Sequence, residues 1–519
     1  MKKTKVTSDS FFVMSIINII SVLFNKTYST INKINIIAIF VFASSSVFLY
    51  LGMPIAEYPS QSLLVVGTAD AAQEEEEEVN TEGPTLKDPN LIAEVVYKGL
   101  KEPTAMEFLG PDDILVLEKG EGTVQRIVNG EILPAPLISL NTDSSDERGM
   151  LGIAIAKDDS ITTNNAAATT TTTTANGPDD FMNANQNANQ NVFLFFTEAA
   201  VGEFPMGNRV YKYELVNDNT KLANPTLLID LPALPDNSHV GGVLKMGPDN
   251  NLYFIVGDQR PTALTRLDSP ESQTKEQNYL NGKEPDGRSG MLRITQDGET
   301  VGGVGIFGDQ HPLDKYYAYG IKNSFGFDFD PVTGNLWDTE NGPSHGDEIN
   351  LVEEGSNGGW AKIQGIWTLD DVWEKGEVVT PPINSEDYGL VTFGGKGKYS
   401  APEFTFDVAP TALKFLNSDK LGNKYENDMF VGDIKNGNLY HFELDEQRQG
   451  LLLDGPLADK VAEDEEIEQV VFGNGFGGIT DIDVGPDGYL YVLAFDGTIY
   501  RIVSTMTNEK EDTSFQEQQ

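Results

Sequence analysis

Two stretches near opposite ends of the chain carry the same pattern. Gly110-Pro111-Asp112-Asp113 leads into Ile114 to Leu117 and then Gly122-Thr123-Val124-Gln125-Arg126-Ile127-Val128. Gly485-Pro486-Asp487-Gly488 leads into Tyr489 to Leu493 and then Gly497-Thr498-Ile499-Tyr500-Arg501-Ile502-Val503. Each is a turn, a strand, a short turn and a second strand, with β-branched and aromatic residues in the runs. Weaker copies at Asn191 to Thr197, Gly247 to Asp258, Asp330 to Trp337 and Asn427 to Phe442 bring the number to six. Such pairs along a helix-poor chain point to radial repetition, which leaves few exposed sheet edges. The expectation is an all-β fold, a six-bladed β-propeller with four-stranded antiparallel blades over residues 86–504. At about 70 residues per blade, long loops must decorate it, consistent with a ligand site on one face.

What precedes residue 86 has a different character. Lys2, Lys3 and Lys5 stand before an apolar stretch from Phe11 to Phe24, and Lys26 and Lys33 before a longer one from Ile36 to Ile55. The second is long enough to span a bilayer. Lysines before it and the Glu74 to Glu78 run after it place the bulk of the chain outside by the positive-inside rule. Ala69-Asp70-Ala71 has the small-x-small form of a cleavage site. Residues 1–85 are thus read as a targeting or transmembrane segment with an acidic linker. The domain is expected to be extracellular or at the cell surface, either secreted or anchored through residues 36–55. Asp158 to Asn191, rich in Thr, Asn and Ala, is read as a disordered insertion within the second blade, and residues 505–519 as a polar tail.

Composition narrows the function. With no cysteine there is no disulfide framework, no thiolate metal site and no cysteine nucleophile. The formal net charge of −44, from 80 acidic against 36 basic side chains, argues against nucleic acid or an anionic membrane surface as partner. Divalent cations remain, given local geometry. The chain has four histidines, and His239 stands out among them. It precedes Gly241-Gly242, where the backbone can approach a ligand closely, and Asp258 ends the apolar strand that follows. A strand that carries the chain away and returns it would let Asp258 orient the imidazole of His239, as a general base requires. His345 is read as a solvated loop residue, with His311 and His441 secondary.

His239-Val240-Gly241-Gly242, the turn Glu147-Arg148-Gly149-Met150-Leu151-Gly152 and the series Gly342-Pro343, Asp347-Glu348-Ile349-Asn350 and Gly359-Trp360 resemble the soluble glucose/sorbosone dehydrogenases. These are the pyrroloquinoline-quinone (PQQ)-dependent aldose sugar dehydrogenases. The resemblance covers nearly the whole propeller and implies that one face holds PQQ and Ca2+ near the central channel. It implies His239 as catalytic base and Asp258 as its supporting carboxylate. It implies that the carbonyls of Gly342 and Pro343 hold the quinone-bound calcium, and that Glu348, with Asp347 beside it, ligates a second calcium. Glu147, Lys322, Asn323 and Lys435 fall at cofactor-contacting positions.

The implied reaction is oxidation of an aldose at the anomeric carbon to a lactone, with electrons passing to an external acceptor. The chain departs from the family pattern at four places. Lys322 stands for an arginine, Glu147 for a glutamine, and Gly478 and Thr480 for two arginines that would grip the quinone carboxylates. Arg148 or Arg260 could substitute for them. Two other functions stay open: a calcium-stabilised, non-catalytic surface propeller that binds carbohydrate or protein, and a metal-assisted, lactonase-like hydrolase.

Overall fold

The computed structural model describes residues 83–156, 190–200, 205–233, 237–259, 273–370, 374–463 and 465–505. The leader with its 36–55 segment, residues 158–189 of the insertion, Arg260 and tail residues 506–519 lie outside the described residues. Among the described residues the regular structure is β-strand, joined by loops and short 3-10 turns, with no α-helix.

Six sheets of four to six strands follow one another along the chain, with a seventh of three. The first contains Pro103–Gly110, Asp113–Glu118, Thr123–Val128 and Glu131–Ile132, with Ile138–Ser139 beside the third strand. The second contains Met150–Ile155, Gln190–Ala199, Pro205–Val216 and Lys221–Leu231. Leu244–Met246, Leu252–Val256, Gly290–Ile294 and Tyr316–Tyr319 form the third, extended by the short parallel strands Ser356–Asn357 and Lys398–Tyr399. Gly326–Phe329, Leu336–Glu340, Asp347–Val352 and Phe404–Phe406 make the fourth. The fifth is Pro410–Phe415, Met429–Asp433, Leu439–Phe442 and Val471–Asn474; the sixth is Ile479–Val484, Leu490–Ala494 and Thr498–Ser504. Two early strands complete these last sheets, Thr85–Leu86 pairing with Val471–Asn474 and Leu91–Lys98 with Thr498–Ser504, both antiparallel. Each of the six repeated units lies in a different sheet.

The repeat has a common physical basis. In both Gly247-Pro248-Asp249-Asn250 and Gly485-Pro486-Asp487-Gly488 the aspartate accepts the hydroxyl of a tyrosine four residues on, at 3.0 Å from Tyr253 and 2.9 Å from Tyr491. The tyrosine ring then covers the first glycine, where a Cβ would lie 2.5 Å from a ring carbon in either turn. An arginine on the next strand, opposite each tyrosine, approaches the same carboxylate: Arg293 faces Asp249 and Arg501 faces Asp487.

Every residue of Leu252–Val256 and of Leu490–Ala494 is buried, because both faces of each sheet are covered. The apolar clusters show what covers them. Leu115 and Phe196 join the first and second sheets, Phe195 and Phe254 the second and third, and Ile255 and Phe327 the third and fourth. Trp337 and Phe415 join the fourth and fifth, Phe430 and Leu490 the fifth and sixth, and Ile114 and Leu493 the sixth and first. The packing therefore runs in a cycle that returns to its start. The seventh sheet, Ile363–Gln364, Trp367–Leu369 and Lys375–Val378, falls in the connection before Phe404 and has no counterpart in the repeat.

Candidate active site

His239 and Asp258 meet as the sequence pattern suggests. Their Nδ1 and Oδ1 atoms are 2.7 Å apart, with His239 7% exposed and Asp258 fully buried. The approach depends on two glycines. A Cβ on Gly241 would lie 2.7 Å from the Ile255 carbonyl oxygen, and one on Gly257 2.2 Å from that of His239. The close approach that Gly241 permits is thus to the strand carrying Asp258, where the sequence reading assigned it to a ligand. His239 itself sits in the left-handed region, at φ 56°.

Asp258 is fixed on every side. Its Oδ2 accepts the indole N–H of Trp360 at 2.7 Å, its carbonyl accepts Gln277 Nε2 at 3.2 Å, and its backbone N–H donates to the Lys322 carbonyl at 2.8 Å. In the neutral ring, the hydrogen bond to the Asp258 carboxylate places the proton on Nδ1 and leaves Nε2 as an acceptor. Lys322 Nζ lies 3.3 Å from that Nε2. Lys322 is buried, and burial lowers its pKa against the pull of Asp258, Glu147 and Glu340. Its backbone N–H donates to Glu340 Oε1 at 2.8 Å.

Asn323 and Glu147 are also in this neighbourhood, but they are engaged with protein. Asn323 Oδ1 accepts the Gly241 N–H at 3.1 Å and its amide donates to Glu147 Oε2 at 3.1 Å, while the same Glu147 oxygen accepts the Val240 N–H at 3.2 Å. The Gly342–Pro343 turn is partly exposed and tied to Asn323 through Asn341, whose N–H donates to the Asn323 carbonyl at 2.8 Å. Asp347 closes that turn. Its Oδ1 accepts Gly342 N–H at 2.8 Å, and its Oδ2 accepts the N–H groups of Val408 and Ala409 at 2.8 and 2.6 Å. Glu348 Oε1 accepts from Gly365 N–H at 2.5 Å and Gln364 Nε2 at 3.0 Å, and burial pushes its carboxyl up to about 8. Both Asp347 oxygens and Oε1 of Glu348 are engaged by backbone and amide donors, and among the described residues no three His, Asp or Glu side chains converge as a metal centre. Lys435 is exposed in the turn after Met429–Asp433.

A cavity of about 350 Å3 opens at the centre of the cycle, with Thr104, Ile153, Leu244, Phe325, Thr411 and Thr480 each contributed by a different sheet or its flank. Glu107, Asp146, Glu147 and Asp481 line it along with Lys119 and Lys245. The region expected to carry arginines is filled otherwise. A Cβ on Gly478 would lie 2.7 Å from Cδ1 of Ile434, and Ile434 and Phe495 form an apolar wall beside Thr480. Arg148 is buried and committed to Asp143 at 2.9 Å and to the Ala233 carbonyl, so it does not substitute for them.

Three participants escaped the sequence reading as site residues. Lys119, whose ammonium donates to the Ser144 carbonyl at 3.1 Å, follows the first repeated unit's strand and looked like a turn residue. Trp360 was legible only as part of a motif, and Glu340 lay inside a strand. His345 is a correction. It is 8% exposed, edge-on to Trp367, where a solvated loop side chain was expected, and burial lowers its pKa. His441, paired to Asp428 at 2.8 Å among Tyr425, Phe430 and Phe472, is structural.

Fold and site together define a class: an all-β, propeller-like protein with a buried imidazole–carboxylate pair and an ammonium group set at the imidazole's second nitrogen. The chain belongs to the glucose/sorbosone dehydrogenase family, whose model matches residues 100–501. It is 24% identical over 410 residues to the aldose sugar dehydrogenase YliI of Escherichia coli, covering 77% of this chain and 89% of that one. It is 26% identical over 411 residues to quinoprotein glucose dehydrogenase B of Acinetobacter calcoaceticus, covering 69% and 78%. The PQQ-bound aldose sugar dehydrogenase of Streptomyces coelicolor shares the fold at a TM-score of 0.50 and 20% identity, over 81% of this chain and 99% of that one.

Proposed function

We propose that this protein is a six-bladed propeller enzyme that oxidises an aldose at the anomeric carbon to a lactone, using PQQ and calcium. The architecture is supported by six repeated units in six successive sheets and by the cyclic packing of those sheets. The His239–Asp258 pair carries the chemical reading. Asp258, held by Trp360, keeps the imidazole oriented with Nε2 as the proton acceptor, and it stabilises the imidazolium once the anomeric hydroxyl has given up its proton. Lys322 touches the same nitrogen, so the substrate hydroxyl must replace or bridge that contact.

For an anionic cofactor the His239 side offers the ammonium groups of Lys322, at His239 Nε2, and of Lys119, which lines the cavity with Lys245. The Asn323 amide is already given to Glu147, and Glu107, Asp146, Glu147 and Asp481 line the same cavity. The Gly342–Pro343 turn offers carbonyl oxygens, the hard donors calcium prefers. When bound, PQQ supplies the hydride acceptor and calcium the Lewis acid that polarises it. Export, with or without a retained anchor at residues 36–55, belongs to this reading, since an external electron acceptor requires access.

A specific observation favours a second reading, a non-catalytic surface propeller. Ile434 and Phe495 form an apolar wall near Gly478 and Thr480, where an anion clamp would sit. One experiment separates the two: titration of the purified protein with PQQ, with and without calcium, followed by dye reduction on a panel of aldoses. Calcium-dependent quinone binding is expected. His239→Ala should retain it while lowering turnover by roughly 10²–10⁴-fold. Absence of quinone binding in a folded, calcium-responsive protein would leave the binding propeller or the metal-assisted hydrolase.

A further inference from the structure

Strand Leu336–Glu340 is buried at all five residues, and two of them are acidic. Asp338 and Glu340 point to one face of the fourth sheet, and the register pairs Asp338 with Asn350 and Glu340 with Glu348 on that face. At its outer end the same face is apolar, with Leu336 and Val352 against Ala318 and Ile321 of the third sheet. Nearer the candidate active site it encloses a cavity of about 20 Å3, lined by Asp338, Glu340, Asn350, Ser356 and Ser400 among others. That is room for a single water-sized occupant.

The groups around the cavity are incompletely satisfied. Asp338 is 1% exposed; its Oδ1 accepts the Asn350 amide at 3.1 Å, and its Oδ2 has no hydrogen-bond partner. Glu340 is 2% exposed and accepts the Lys322 N–H. Glu348 is turned to Gly365 and Gln364, so it does not complete the set. A buried carboxylate oxygen facing a cavity without a donor is costly unless a proton or a cation fills the gap.

We propose that this cavity is a cation site, holding one calcium ion through Asp338, Glu340 and the Asn350 amide oxygen, with the Ser356 and Ser400 hydroxyls beside it. The donors are all hard oxygens, two of them carboxylate, which suits calcium over a transition metal. The site shares no residue with the Gly342–Pro343 turn or the Asp347–Glu348 pair, and it does not depend on the reading of the His239 site. Its ion would tie the inner end of strand Leu336–Glu340 to the third sheet, and Glu340 passes that restraint to the Lys322 backbone. The competing account is protonation, since burial pushes the Asp338 carboxyl up to about 8.

The test uses the full chain, stripped with chelator and then titrated with calcium chloride. Bound calcium is counted by mass spectrometry of the desalted protein, and thermal melting is followed in parallel. Asp338→Asn keeps the side-chain volume and should bind one calcium fewer per chain, with a smaller calcium-induced rise in Tm. Asn350→Asp adds a third carboxylate and should shift the calcium midpoint to lower concentration, a gain that misfolding does not mimic. Unchanged stoichiometry and an unchanged Tm increment in Asp338→Asn would overturn the proposal. So would an Asn350→Asp protein that is only destabilised, because a carboxyl that merely holds a proton gains nothing from a second acid.

Discussion

Asp258 gives one oxygen to His239 and the other to Trp360, and its carbonyl is held by Gln277. The residue beside Gln277 is Glu276, fully buried, whose carboxyl is pushed up to about 8, first by burial and then by Asp286. Its folded-state pKa therefore lies above the ordinary value of 4.5. Between those values the native state holds a proton that the unfolded chain has lost, so stability is greatest below the lower one and falls as pH rises through the higher. The slope reaches at most about 1.4 kcal/mol per pH unit for one proton. Glu276→Gln removes this term. Calorimetry from pH 5 to 8.5 should show a smaller decline in Tm than in the wild type, and a parallel decline in both would refute the assignment. At this scale His239 and Asp258 were legible because a histidine beside two glycines and an acid at a strand end are unusual company. Trp360 and Glu276 were not, since their roles come from contacts made across different sheets and loops.

The turn and its following strand form the unit the chain repeats, and the aspartate–tyrosine bond gives that unit its shape. Gly247→Ala would place a Cβ 2.5 Å from the Tyr253 ring, with the ring itself packed edge-on against Tyr317 and Phe329. The ring cannot withdraw without losing those contacts and the bond to Asp249. The expected cost is about 1–3 kcal/mol, read as a lowered midpoint in urea unfolding, and Gly485→Ala should behave alike because Tyr491 occupies the same place. No change in either midpoint would show that the turn yields freely. The central strands were legible at this scale because turn residues bound short apolar runs. The three-stranded sheet over Ile363–Val378 was not, because its exposed Lys375–Val378 strand has no buried side to give it an apolar signature.

The cycle of sheets is completed by strands from opposite ends of the domain, Leu91–Lys98 against Thr498–Ser504. Removing residues 85–98 from the full chain would leave the last strand with an open edge and strip the Val471–Asn474 edge of its partner. Stability on the order of 5–15 kcal/mol is the whole margin of a typical domain, so the shortened protein should lose cooperative melting and aggregate. A cooperative thermal transition near that of the intact chain would argue against closure through this strand.

The sequence by itself determined the all-β character, the repeated unit, the family resemblance and the residues of the imidazole–carboxylate pair. These depend on local signals: turn residues, strand periodicity and motif spacing along the chain. Only the tertiary structure decided how the charges are spent. It placed Lys322 against His239 and turned Glu147, Asp347 and Glu348 toward backbone and amide donors. It also packed Ile434 where arginines were expected and left Asp338 facing a small cavity. A side chain's charge is visible in a sequence, but which donor, acceptor or cavity it meets is set by segments that only the folded chain brings together.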